Sequence, residues 1–520
     1  MKNMTKKLLA ITMLLSIVKL SALTSGQSFF LPRAQNGTAV DVLGWSPEIN
    51  KYDADTFYFD FKVQSEWRQS FDSKKLGEYI FFNQTNSMVF GPQQTATTNL
   101  TTDIYGLNFL LTPQFQSTVT ANPKVQSSIT DFSLYVGLDE WVSGLFVSAH
   151  LPLVYTRWNT HLSEVPGVAN SATFNAGVLN AAAVTTVPYA NAIAAWRGDK
   201  TAGDANTVWS YGKIQGSQNE TKVGDIALNL GYNFVNRENM YFGVALRGLF
   251  GAGGHSKAVY VFEPMVGSGG RMGIGGMVDA QVRLWERDED HQLVATFAGY
   301  AEHLFHNKQV RSYDILQCGV GSRYNMIKKL TTINAAAPSV YSNIDNAINQ
   351  CTQTAKIGVG VVYEANLQLS YMMNNVNLDF GYSVGGRSAE KFGSFVTAVT
   401  PNTFILYSST AANNANVATG NGANGVSKIT VAGNDTGATA AAVVTGNEAT
   451  YTLSNTGTLG LNTASVLAPS VVTNEIYLNL GYTWRDNDWK PCVSLFGDVE
   501  FSNNKSLSTW AVGLQGNVSY

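Results

Sequence analysis

Three scarcities narrow the reading of this 520-residue chain before any motif is consulted. Beyond the first 30 positions it has no uninterrupted apolar run of the ~18 residues that a spanning helix needs, which argues against a bundle of transmembrane helices. A membrane protein with this sequence would have to be built from strands, since only helices and closed barrels satisfy their backbone polar groups in lipid. Cysteine is scarce: Cys318, Cys351 and Cys492 are too few to staple a disulfide scaffold. Cys318 and Cys351 fall in one expected surface loop, so they are either bridged or two small residues of no special role. Charge is also sparse, at 14% against 45% hydrophobic and 11% aromatic residues, a balance that fits a large soluble protein or a barrel.

The first residues read as an export signal, with Lys2, Lys6 and Lys7 ahead of the apolar stretch from Leu8 to Val18 and small residues at Ala22, Ser25 and Gly26. Its apolar stretch is too short to span a bilayer, and cleavage is expected between Ala22 and Gly26. Losing residues 1–26 removes four lysines and takes the formal charge from -3 to about -7. That leaves no basic face for nucleic acid.

What the sequence has in quantity is alternation. In 57–68, Phe57, Phe59, Phe61, Val63 and Trp67 share one face, while Asp60, Lys62, Gln64, Glu66 and Arg68 share the other. Strands put successive side chains on opposite faces, and a barrel wall has lipid on one side and a polar lumen on the other. The same period recurs in 225–234, 364–371, 376–387 and 475–484, each about ten residues, the length a tilted strand needs to cross hydrocarbon. The phrases Leu228–Tyr232, Leu378–Tyr382 and Leu478–Tyr482 repeat an apolar stripe ending on tyrosine. Tyr232 and Tyr482 are expected in the inner aromatic girdle, and Tyr382 in the outer one.

Connections give an independent test. Arg287–Asp290, Met373–Asn375 and Arg485–Asp488 are short, whereas 158–221, 306–355 and 389–472 are long. Strands near 57, 79, 104, 127, 144, 223, 241, 272, 291, 356, 375, 473, 489 and 508 place every short connection on one side and every long one on the other. The expected fold is therefore all-β, a single antiparallel transmembrane barrel over 56–520 with about 14 strands, 12 and 16 also fitting. Residues 27–55 precede it as a periplasmic extension or a small plug, and the Ala-, Asn-, Thr- and Gly-rich stretch 411–446 reads as exposed outer loop.

At the C-terminal end, Trp510, Val512, Leu514, Gly516, Val518 and Tyr520 alternate with smaller and polar residues. This resembles the last strand of Gram-negative outer-membrane β-barrel proteins of the porin-like kind. The resemblance implies that Leu514, Gly516, Val518 and Tyr520 form the signal read by the barrel assembly machinery, and it implies a bacterial outer-membrane location among its lipids. Porins often form trimers, so a homo-oligomer is an expectation by analogy. No plug signature of TonB-dependent receptors is present.

About 14 strands leave room for a water-filled or ligand-holding interior. The expected function is a pore for passive diffusion of small hydrophilic solutes. The register places Asp60, Glu66, Asp131, Asp225, Asp279, Glu364, Asp379, Asp498 and Glu500 inward, against Lys62, Arg68, Arg247, Arg283 and Arg387. That acid excess predicts a mild cation preference. A surface adhesion barrel and a plugged, substrate-specific transporter are the alternatives. An embedded enzyme is not expected, because His150, His161, His255, His291, His303 and His306 suggest no nucleophile, base and orienting group together. The glycines of 267–276 lack a P-loop ending and read as barrel wall, so no cofactor or metal is expected.

Overall fold

The computed structural model describes residues 49–520 except 53, 55, 93–102, 176–177, 181–182, 289–290, 316–319, 333–339, 397–403, 407–449, 452–460, 487–488 and 505. Twelve strands form its frame. They are β1 (Tyr58–Phe71), β2 (Lys124–Gly137), β3 (Leu145–Asn159), β4 (Ile226–Arg237), β5 (Met240–Phe250) and β6 (Gly273–Asp288), followed by β7 (His291–Ser312), β8 (Thr352–Met373), β9 (Val376–Arg387), β10 (Val471–Thr483), β11 (Lys490–Ser502) and β12 (Ser508–Ser519). Each pairs antiparallel with the next in the chain. Pairing of β1 with β12, from Asp60 opposite Ser519 to Phe71 opposite Ser508, closes the barrel and leaves no edge.

Alternation makes these strands. Lys62 is 0% exposed and Glu66 5%, while Phe61 and Trp67 flanking them are 42% and 39% exposed on the outer face. The same division runs around the barrel, with Leu230, Leu480 and Leu514 outward and Asn229, Asn479 and Gln515 inward. β7 and β8 are 22 residues each, twice what hydrocarbon requires, and their excess projects past the spanning region. Two further strands join the same sheet on such projections: Ser217–Val223 against β3, and Glu390–Phe395 against β8.

Connections divide by end. Those after β2, β4, β6, β8 and β10 are short, and those after β1, β3, β5, β7 and β9 are long. Strand number falls at the lower end of the sequence reading, twelve rather than the central fourteen, and the correction is to the stretches near 79 and 104, which do not enter the barrel. Residues Ser73–Ile80 form a helix, α1, that buries Leu76, Tyr79 and Ile80. At 107–111, Leu107, Phe109, Leu110 and Leu111 are all buried, so the period of two that a barrel wall demands is missing. Removing two strands together preserves the alternation of ends.

These segments instead build a cap on the long-connection end. One apolar cluster joins residues from 76–125, 174–214, 258–265 and 324–348. Phe109 sits at its centre, with ring centroids 4.9 Å from Trp209, 5.1 Å from Phe90, 5.4 Å from Tyr324 and 5.5 Å from Trp196. Phe81 stacks on Trp196 at 5.7 Å. Such aromatic pairs contribute about 0.5–1.5 kcal/mol each beyond their buried area, enough to give the connections a core of their own. Among the described residues no helix is long and apolar enough to cross a membrane. The signal stretch, Cys318 and the 411–446 stretch lie outside the described residues; Cys351 is fully buried in a second apolar cluster with Tyr313 and Ile357.

Candidate functional site

The lumen is the feature to which all twelve strands contribute. At the short-turn end its floor is made by a residue from outside the wall. Asn50, 5% exposed, points its carboxamide into the barrel: it donates to Asp279 Oδ2 at 3.1 Å and accepts from Tyr135 Oη and Asn233 Nδ2, both at 2.6 Å. Ile49 packs beside it against Tyr58, Tyr135, Phe146 and Ala245. The neighbouring Lys51 carbonyl accepts from Asn236 Nδ2 at 2.9 Å. Residues 49–51 therefore enter the floor of the barrel and are tied to β2, β4 and β6.

Above the floor, one side of the wall is packed with charge. The Arg68 guanidinium lies 3.0 Å from Glu66, 3.0 Å from Asp498, and 3.7 Å from both Glu475 and Glu500, and it donates to Thr509 Oγ1 at 2.7 Å. Asp60 accepts from Asn517 at 3.1 Å and Ser519 at 2.6 Å. Two cations, Arg68 and Lys62, against five carboxylates, Asp60, Glu66, Glu475, Asp498 and Glu500, leave this wall acidic.

At the opposite end the connection between β5 and β6 folds into the mouth. Val266 packs against the inward Ile129 and Val154, and the Ser268 amide donates to Asp225 Oδ2 at 2.7 Å. Gly267, Gly269 and Gly270 all have positive φ, a conformation glycine adopts without strain, so this inward turn accounts for part of the glycine cluster; only Gly273, Gly275 and Gly276 belong to the wall. Arg271 then reaches across to the Ile357 carbonyl and to Glu390, at 3.2 and 2.9 Å, and Arg311 meets the same Glu390 oxygen at 3.1 Å. Burial alone would raise the Glu390 carboxyl, but Arg311, Arg271 and Arg387 outweigh it and hold it at about 2.

Two cavities inside the barrel are lined by the described residues. The larger, about 170 Å³, lies below the inward turn, lined by charges of both signs and by Tyr300, Leu249, Leu304 and Met265. The smaller, about 80 Å³, lies toward the floor and is mostly amide- and hydroxyl-lined, with Asp279, Asp379 and Cys492.

Of the residues that the register placed inward, Asp60, Lys62, Glu66, Arg68, Asp131, Asp225, Asp279, Asp379, Asp498 and Glu500 are buried, and Arg247, Glu364 and Arg387 line the larger cavity. Arg283 is at the short-turn rim, 2.7 Å from Glu286 and 3.0 Å from the Glu238 carbonyl. The structure brings Glu66, Arg68, Asp498 and Glu500 into one cluster. Arg247 instead pairs with Glu302 at 3.0 Å, and Asp131 with His150 at 3.4 Å and with Ser133. Glu302 and Glu475 obey the same alternation and could have been read from it. Asn50, Arg271 and Glu390 could not, since they stand outside the spanning strands.

The outer face completes the class. At the short-turn end, Phe59, Trp489 and Tyr520 cluster with centroids 5.3–6.2 Å apart, Tyr482 lies 4.9 Å from Trp484, Tyr232 5.1 Å from Phe234, and Phe57 5.4 Å from Trp141. Leu514 and Tyr520 face outward, 60% and 54% exposed, on the face shared with Gly516 and Val518. A closed antiparallel barrel with an apolar, aromatic-girdled exterior and a polar interior is a transmembrane β-barrel of the bacterial outer membrane.

No family model matches the chain, and no curated protein matches it. Among solved structures it is similar to an outer membrane channel from Pseudomonas putida F1, at 8% identity and a TM-score of 0.37, over 92% of this chain and 100% of that one. It is also similar to the Pseudomonas putida toluene transporter TodX, at 8% identity and 0.32 over 95% and 97%. A Pseudomonas aeruginosa FadL homologue matches at 8% identity and 0.27 over 96% and 98%.

Proposed function

We propose that this barrel is a restricted, solute-selective channel of the outer membrane that admits small hydrophilic molecules through a charged lumen, with the capped end facing outward. The observation that carries the reading is the state of the lumen. Side chains that would be bathed in water in a wide pore are enclosed instead: Lys62 and Ser133 at 0%, Asp60 and Asn366 at 1%, Glu500 at 2%. Among the described residues the lumen holds cavities of about 170 and 80 Å³ between an inward-folded turn above and Asn50 below. An open diffusion pore would leave these charges hydrated, so the packed lumen favours passage that requires a rearrangement at the turn or the floor.

Ion preference follows from the wall. Four carboxylates around Arg68 leave a net negative field on the path, and rings of acidic side chains favour cations. The test is single-channel recording of the refolded mature protein in a planar bilayer under a salt gradient. Rare or small steps with a reversal potential on the cation side are expected. Large, permanently open steps would replace this reading with a free-diffusion pore, and a barrel silent at every voltage and with every solute tried would remove transport altogether.

A further inference from the structure

The larger cavity contains an ion pair that is not made. In the register of β8 with β9, Val362 stands opposite Arg387 and Glu364 opposite Gly385. Glu364 and Arg387 are therefore diagonal neighbours on the inward face, a relation that sets such residues about 7–8 Å apart and within reach of long side chains. Both line the same cavity. Yet among the described residues Arg387 makes no ion pair, and its Nε and Nη2 are enclosed without a hydrogen-bond acceptor. Glu364 has only longer contacts with hydroxyls, from Ser383 at 3.2 Å and Tyr300 at 3.4 Å.

The other charges of the cavity have hydrogen-bond or ion-pair partners, Asp225 through the Ser268 amide at 2.7 Å. Arg247 is held by Glu302 at 3.0 Å, with its guanidinium 4.1 Å from the centre of the Tyr300 ring. Arg271 is held by Glu390 at 2.9 Å, and His150 stands 3.4 Å from Asp131. A guanidinium taken out of water without an acceptor is costly, and removal of either partner from a buried pair leaves the same kind of deficit. Arg387 thus makes no contact of its own with an anion, the Glu390 carboxylate that it faces being in direct contact with Arg271 and Arg311, where Glu364 lacks a cation, on one wall of one cavity.

We propose that the cavity binds a small zwitterion of the α-amino-acid class, its carboxylate on Arg387 and its ammonium on Glu364, with an apolar side chain against Leu249, Leu304 and Met265. The volume suits it: a cavity of about 150 Å³ accepts a benzene-sized molecule, and this one is about 170 Å³. The inference rests on the solute-selective reading above, and it names the solute.

The test uses the full mature chain, refolded in detergent, and isothermal titration calorimetry with three probes of one carbon skeleton: L-leucine, 4-methylpentanoate, which lacks the ammonium, and isoamylamine, which lacks the carboxylate. Leucine should bind at least about tenfold more tightly than either analogue, the factor expected for one charge-assisted hydrogen bond. Arg387→Gln should abolish its advantage over isoamylamine, and Glu364→Gln its advantage over 4-methylpentanoate. Equal affinity for all three probes, or leucine affinity unchanged in both variants, overturns the proposal; the comparison of probes on the unaltered protein holds even if a variant fails to fold. Binding in detergent does not require conduction. A conducting barrel that ignores leucine would sink this inference and leave the channel reading standing, whereas leucine binding by an electrically silent barrel would do the reverse.

Discussion

Tyr477 lies over Gly381, its directly opposed partner on the neighbouring strand, so closely that a Cβ on that glycine would stand 2.0 Å from the ring Cζ. The ring points into the lumen, 1% exposed, and its hydroxyl donates to Gln368 Oε1 at 2.8 Å. The arrangement recurs in register: Tyr58 over Gly137, Phe146 over Gly231 and Phe496 over Gly513, with clashes of 2.1, 2.1 and 2.3 Å awaiting any Cβ. Four inward aromatics are thus seated on cross-strand glycines, fixing neighbouring strands to one another from inside. Gly381→Ala should push Tyr477 off Gln368 and lower stability by about 1–3 kcal/mol, the range for overpacking. Gly276→Ala, whose nearest atom would be the Ala245 carbonyl oxygen at 3.7 Å, should change it by no more than about 0.5 kcal/mol. Urea midpoints of the refolded variants in vesicles decide it; equal shifts would mean that the ring is not pinned.

A pH dependence follows at the mouth. Glu390 is held at about 2 against an ordinary value of 4.5 by Arg311, Arg271 and Arg387 after overcoming burial. A depressed carboxyl contributes stability that is complete above its unfolded value and is lost as pH falls. The window is therefore from about 4.5 down to about 2. Stability measured from pH 6 to pH 3 should decline on the acid side in the parent chain, and the gap between it and Glu390→Gln should narrow over the same interval. At neutral pH that variant leaves its arginine partners facing no carboxylate and should cost about 3–5 kcal/mol. A gap that stays constant with pH would mean that Glu390 is not ionised in the folded protein.

The barrel was legible because a wall between lipid and lumen imposes a period of two on every strand that crosses it, as at Phe57 to Arg68. The inward charges were legible for the same reason, and Glu302 and Glu475 only extend that set. The cap was not, because residues such as Leu107, Phe109 and Leu110 bury on all sides, and a run of apolar residues looks alike in a wall strand and in a core. Nor does periodicity speak to Asn50 or Arg271, whose partners lie on strands distant in sequence. Alternation assigns a residue to a face, but it does not say which opposing charges meet. Arg68 and Glu475, separated by most of the chain, come together only because β1 and β12 close the barrel.

Arg68 can be separated from its surroundings by two substitutions. Arg68→Gln removes a cation that lies within 4 Å of Glu66, Glu475, Asp498 and Glu500 at once, and should cost about 3–5 kcal/mol. Arg68→Lys keeps the charge but cannot reach several acceptors with a planar fork, and should cost less. Reversal potentials of whatever fraction refolds should move further to the cation side in the Gln variant than in the Lys variant. An unchanged potential in both would place the ion path elsewhere in the lumen.

Asn50 makes the most direct test of the closed lumen, because its removal touches the floor without altering any strand of the wall. Its carboxamide satisfies Asp279, Tyr135 and Asn233 at once. Asn50→Ala should therefore weaken the seal twice over, by freeing the entering segment and by leaving buried polar groups on three strands without that partner, at about 1–3 kcal/mol for each group left unsatisfied. Water is the alternative partner, and water entering at the floor is the first step toward a continuous path. Single-channel recordings should show more frequent openings than in the parent chain, with the cation preference kept because the Arg68 cluster is untouched. If Asn50→Ala lowers stability and the openings stay as rare, the closing element is the inward turn at Val266–Arg271 rather than the floor.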